Sequence, residues 1–239
     1  MNGSRTEILG RIRRALARPP LEHHHGHQPE ITDIRKLFAS DYQDQSLIDR
    51  FRTEFSRVSG EMAVCTGPDS VIDTIRDLIQ SSNVATVAIS QHPLCRRLQL
   101  EEKLKAELPQ THFLNEVMDS ESSSERNQLR ERLSRAELSV TGAEYLIADI
   151  GTIVTVANPH ASREISLLPT AHLVLATPDQ IYPNMAELFR EIHEKHGDTL
   201  PGSALTLITG PSRTADIEKV LIKGVHGPTR LLAIVFDER

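Results

Sequence analysis

Residues 204–228, ALTLITGPSRTADIEKVLIKGVHGP, set out a strand, a turn and a helix in succession. Ala204 to Thr209 is a short apolar run of strand length. Gly210 admits backbone angles that other residues avoid, and Pro211 fixes the turn. The spacing of Ile217, Val220 and Leu221 predicts a helix over 213–223, capped by Ser212 or Thr214. Asp216 and Glu218 would then place negative charge in its first turns. Gly224 closes the helix, and Gly227-Pro228 turns the chain into a last strand. A strand–turn–helix junction offers free backbone N–H groups at the positive end of a helix. It is therefore a natural site for phosphate or carboxylate, with Arg213 as a partner. A well-capped junction without a ligand has the same local pattern. No Gly-Lys-Ser/Thr follows, so it is not a P-loop, and the second glycine of a nucleophile elbow is missing.

The alternation extends over most of the chain. Strand-like runs fall at 61–65, 84–89, 145–156, 171–176, 204–209 and 231–236, with helical patterns at 69–81, 93–107, 124–137, 183–196 and 213–223. This implies an α/β fold, a mostly parallel sheet covered by helices on both faces. Such sheets bind ligands beyond the carboxyl ends of their strands. Ahead of this region, Leu47, Phe51, Phe55 and Val58 recur at helical spacing. Residues 4–18 form a further amphipathic helix through Ile8, Ile12, Ala15 and Leu16, with five arginines against Glu7 alone. That basic helix could dock a partner or an anionic surface, resemble a transit segment, or lie on its own acidic domain. Pro19 and Pro20 end it. The following linker carries His23, His24, His25 and His27, an exposed tract without the Cys or Asp of a metal set. The expected division is a helical extension over 1–60 and an α/β domain over 61–239.

Composition excludes several classes. A net charge of −6 and the absence of Trp argue against nucleic acid, which needs a positive surface and stacking platforms. Two isolated cysteines, Cys65 and Cys95, supply neither a CxxC site nor a disulfide framework. No apolar run approaches membrane-spanning length, and the N-terminus lacks an apolar signal region. A cytoplasmic home is the simplest expectation.

Three other positions carry chemistry-bearing residues. His226, between two turns, has the residue type of a general acid/base or carboxylate-orienting group. In ADIGT, Asp149 ends a strand, Gly151 breaks it and Thr152 resumes it. A carboxylate at a buried strand end needs a partner. Arg163, on a short helix ending at Pro169, is the candidate. Ser212, His226 and Asp149 or Asp216 have the residue types of a triad, although their spacing does not demand one.

ITGPSRTADIE followed by GVHGP, with SREISLLP and ADIGT upstream and ILGRIRRAL at the start, resembles the lactate-utilisation protein C family, small proteins built on the LUD domain. The resemblance implies a fold like that of the NagB, RpiA and coenzyme A transferase proteins. It also implies a part in oxidising L-lactate to pyruvate, with companion proteins carrying iron–sulfur clusters and with no cofactor or metal in this chain. Position by position it points to Asp149 and His226 among the matching positions, and their residue chemistry makes these two the catalytic candidates. Arg163, Gly210, Ser212 and Thr214, with Arg213 beside them, are candidates for binding a small carboxylate. Gly151, Asp216, Glu218 and Gly227 complete the motif. The alternatives are a self-sufficient enzyme handling an acyl or phosphate ligand and a regulatory or assembly module.

Overall fold

The computed structural model describes residues 3–16, 46–115, 123–158, 162–197, 199–215, 221–223 and 227–237. The chain divides into two compact units, Met1–Asp44 and Gln45–Arg239. In the first, α1 (Gly3–Leu16) forms where the spacing predicts a helix, with Arg11 paired to Glu7 one turn back at 2.8 Å. The His23–His27 tract lies outside the described residues.

The division falls after Asp44, not after residue 60 as expected, because α2 (Leu47–Arg57) belongs to the α/β core. Ser46 starts this helix by accepting the Asp49 N–H at 3.2 Å. Phe51 and Phe55 are fully buried, with stacked rings 5.1 Å apart. Burying such a ring is worth roughly 1.5–3 kcal/mol, which commits the helix to the core it covers.

Along this unit run β1 (Glu61–Cys65), β2 (Thr86–Ile89), β3 (His112–Asn115), β4 (Leu138–Gly142), β5 (Tyr145–Ile147) and β6 (Thr152–Ala157). They are followed by β7 (Ala171–Ala176), β8 (Ile181–Tyr182), β9 (Ala204–Ile208), β10 (Arg213–Ala215), β11 (Leu221–Lys223) and β12 (Arg230–Phe236). The main sheet is parallel throughout, in the order β1-β12-β7-β4-β2-β3. Leu173, Leu175, Leu232 and Ile234 belong to one core, and Val174, Ala176, Ala233 and Val235 to another. A sheet buried on both faces reads as continuous apolar runs, as 171–176 and 231–236 do.

The first face packs against α3 (Pro68–Ser81), α4 (Pro93–Arg97) and α5 (Leu100–Glu107) through Ile72, Ile75, Ile79, Leu94 and Leu104. The second face meets α2, α6 (Ser123–Ser134) and α7 (Glu164–Leu167). It also meets a second sheet, ordered β8-β5-β6-β9, through Leu146 and Ile153. The side of that sheet bearing Tyr145, Ile147 and Val154 receives Leu188 and Ile192 of α8 (Met185–His196). The expected parallel sheet covered on both faces is therefore present, and part of one cover is itself a sheet. Among the described residues no helix is long and apolar enough to cross a membrane.

Two expected elements differ. The pattern over 93–107 resolves into α4 and α5, separated at Gln99, whose φ of 52° breaks the helix. The helix expected over 213–223 is replaced by β10 and β11, paired antiparallel with Arg213 opposite Lys223. The Ser212 N–H donates to the Pro228 carbonyl at 2.8 Å, which closes the base of this excursion. A segment whose ends meet satisfies backbone groups by pairing the outgoing and returning arms.

Candidate functional site

From β2 the chain passes outward to the edge strand β3, then returns beyond β2 to form β4 on its other side. The β2/β4 boundary is therefore a point where strand order reverses. The carboxyl ends of strands at such a point leave a crevice. A cleft lies there, lined by His92, Thr141, Gly142, Glu144, Arg163 and Ser166 with part of β6. The cleft opens to solvent and spans about 330 Å³ including its mouth, with about 20 Å³ at its narrow inner end.

His92 follows β2 after Ser90 and Gln91. Ser90 donates its N–H to the Val140 carbonyl at 2.9 Å, and the Ser90 hydroxyl accepts the His92 N–H at 3.0 Å. His92 also caps α4. Its Nδ1 accepts the Leu94 N–H at 3.2 Å, and Pro93 takes the first helical position. With Nδ1 serving as acceptor, the proton of a neutral ring resides on Nε2. That nitrogen lies 3.4 Å from Glu144 Oε1. The Nε2 edge of His92 thus faces Glu144 without a hydrogen bond between them, and the half-buried carboxylate keeps acceptor capacity for a ligand. A Cβ on Gly142 would lie 1.9 Å from His92 Nδ1, so the absence of a side chain there is what lets the ring cover the end of β4.

Glu144 is fixed through its backbone. Its N–H donates to the Val154 carbonyl at 3.0 Å, and Gln180 Nε2 donates to the Ala143 carbonyl at 2.6 Å and the Glu144 carbonyl at 3.3 Å. Gln180 is held in turn by the Thr177 N–H, which donates to its Oε1 at 2.8 Å. On the facing wall, Arg163 precedes α7. Ile165 buries among Ala88, Leu114 and Leu133, and the Ser166 hydroxyl donates to the Arg163 carbonyl at 2.9 Å. Arg130 of α6 pairs with Glu164 at 2.9 Å. The Arg163 side chain is exposed and borders both the cleft and a wider groove of about 600 Å³ between α6 and α7.

Of the other expected site residues, the structure sets Asp149 and Gly151 apart from the cleft. Glu144 precedes β5, whereas Asp149 and Gly151 form the far turn of the β5–β6 hairpin, roughly 15 Å along the strand by its rise per residue. Burial raises the Asp149 pKa, opposed by the Arg50 charge, and Oδ1 is buried without a hydrogen-bond partner among the described residues. Gly151 has φ +57°, and a Cβ there would lie 2.3 Å from the Phe55 nitrogen. Gly210 has φ +88°, and its Cβ would lie 2.4 Å from the Val58 carbonyl oxygen. Both glycines therefore let the chain close on the end of α2. Thr152 and Thr209 bridge the same region through hydroxyls 2.7 Å apart. A Cβ on Gly227 would lie 3.3 Å from the Ser212 Cβ, so these two motif positions are neighbours. Arg213 and Thr214 occupy β10 where a helix start was expected, which removes the helix-dipole argument for an anion there. Asp216, Glu218 and His226 lie outside the described residues.

Sequence reasoning missed His92, Glu144 and Thr141. The available signal was a His-Pro pair shortly after a strand, which marks a capped helix start at a strand's carboxyl end. Among the described residues no three His, Cys, Asp or Glu side chains converge as a metal site requires.

A parallel sheet covered on both faces puts the chain in the α/β class of proteins. Within that class, the chain belongs to the LUD-domain family, whose model matches residues 48–236. It is similar to Lactate utilization protein C of Exiguobacterium sp., 30% identical over 240 residues covering 98% of this chain and 96% of that protein. Lactate utilization protein C of Halalkalibacterium halodurans is 37% identical over 132 residues, 54% of this chain and 57% of that protein. The crystal structure of a DUF162 family protein from Deinococcus radiodurans superposes with a TM-score of 0.57 at 20% identity, covering 80% of this chain and 96% of that one. It shares the fold.

Proposed function

We propose that this chain serves lactate utilisation as a subunit without redox centres of its own, binding a small 2-hydroxy acid for companion proteins that carry iron–sulfur clusters. The supporting observation is that Arg163 lines the same cleft as the His92–Glu144 pair at the carboxyl ends of β2 and β4. Near-complete alignment with a relative named Lactate utilization protein C agrees with it. A guanidinium is a planar partner for a carboxylate. The hydroxyl of the acid needs a proton acceptor as it becomes a ketone, and Glu144 has that capacity. L-lactate becoming pyruvate gives up two protons and two electrons. The O–H bond breaks with its proton going to Glu144 and its electron pair forming the C=O bond, while the Cα–H bond breaks with its two electrons passing to the companion proteins and its proton to water.

Calorimetric titration with L-lactate, pyruvate and phosphate tests the reading. Saturable uptake of the two acids is expected, weakened about tenfold or more in Arg163→Ala, the worth of one charge-assisted contact. Silence toward both acids contradicts it.

A further inference from the structure

His172 lies in the middle of the parallel sheet, on β7, with Ser139 of β4 and Leu231 of β12 as its lateral neighbours. It is fully buried. Its Nε2 is 2.8 Å from the Thr141 hydroxyl, and among the described residues its Nδ1 has no hydrogen-bond partner. Thr141 stands one residue from the carboxyl end of β4 and lines the cleft with His92 and Glu144. Among the described residues its hydroxyl makes no other hydrogen bond.

A neutral imidazole carries one proton, and burial keeps this one neutral. With the proton on Nδ1, a buried N–H would lack an acceptor, and Thr141 would spend its own proton on Nε2. With the proton on Nε2, His172 donates to the Thr141 oxygen, and the only unmatched atom is a bare acceptor. Orphaned buried N–H groups are rarer in proteins than under-satisfied acceptors. The second arrangement therefore leaves the smaller defect. It also turns the Thr141 proton away from His172, and the remaining space beside the hydroxyl is the cleft.

We infer that Thr141, held as an acceptor by His172, is an obligate hydrogen-bond donor to an oxygen of the acid bound in the cleft. This inference rests on the acid-binding reading above. It makes the two sides of the cleft opposite in polarity, since an ionised Glu144 only accepts while Thr141 donates. A substrate hydroxyl can give its proton to Glu144 while its oxygen accepts from Thr141. Once it is a ketone and Glu144 is ionised again, that oxygen has no proton to give and takes its hydrogen bond from Thr141. Thr141 is thus a specificity-determining residue with a stronger effect on the keto acid, and His172 is its positioning residue.

Two measurements on the full chain test this. The first is the two-bond proton–nitrogen spectrum of histidine-labelled protein without ligand, with His172 assigned as the signal missing from His172→Phe. An Nε2–H pattern is expected, and an Nδ1–H pattern overturns the inference. The second is calorimetric titration with pyruvate and L-lactate. Thr141→Val is expected to weaken pyruvate about tenfold, and L-lactate by less, while Thr141→Ser restores parent affinity. Equal pyruvate affinity in parent and Thr141→Val overturns the role of Thr141 and leaves the acid site standing. If the parent binds neither acid, the acid-site reading itself falls, and this inference with it.

Discussion

Burial pushes the pKa of His172 down to about 3, so its neutral form is the one the fold accommodates. In the unfolded chain the same ring titrates near 6.5. Between those values the unfolded state binds a proton that the folded state refuses, so stability is retained above about pH 6.5 and lost as the pH falls toward 3. The slope approaches about 1.4 kcal/mol per pH unit for one group. Urea unfolding of the parent and His172→Leu at pH 7, 5.5 and 4.5 isolates it, because shared carboxylate effects cancel in the difference. The gap between the two should change with pH in the direction of a flatter variant, and parallel curves would contradict the account. Sequence alone gave no access to this residue or to Glu144. His172 reads as one polar position in an apolar run, and His92 is 52 residues from Glu144, joined to it only through the β2–β4 pairing.

Elements with a strong local pattern were legible. The expected strand over 171–176 has the observed bounds, and the helix expected over 69–81 is α3 (Pro68–Ser81), because an apolar stripe at helical spacing survives tertiary packing. The segment 213–223 was misread for a physical reason. Its helical spacing is local, whereas the Ser212–Pro228 hydrogen bond that closes the excursion spans the whole segment. The ADIGT and ITGP motifs were legible as turns but not as packing devices, since the end of α2 that they meet, at Phe55 and Val58, lies far earlier in the chain than Gly151 and Gly210. Gly151→Ala tests that packing role. It would place a side chain at a positive φ and against the Phe55 backbone. A left-handed non-glycine residue costs about 1–3 kcal/mol before the clash is counted. Urea denaturation should show a loss of at least that size, and a variant as stable as the parent would contradict the close approach.

At the scale of the whole α/β unit, the sheet sets the position of the chemistry. The motifs most visible in the sequence, 149–152 and 208–212 with 227–228, gather at the far turn of the β5–β6 hairpin and beside the end of α2. The cleft lies at the other end of that hairpin, where β2 and β4 finish and Glu144 and Arg163 are both in the lining. Motif conspicuousness reflects glycines needed for packing, while the switch point is a property of strand order that appears only when the sheet is assembled. Amide-resolved NMR during titration with L-lactate separates the two locations most directly. The account predicts saturable shifts at Gly142, Glu144, Arg163 and Ser166, with Gly151, Gly210 and Ser212 unmoved. Shifts confined to residues 208–228 would contradict it and return the site to the motif end of the fold.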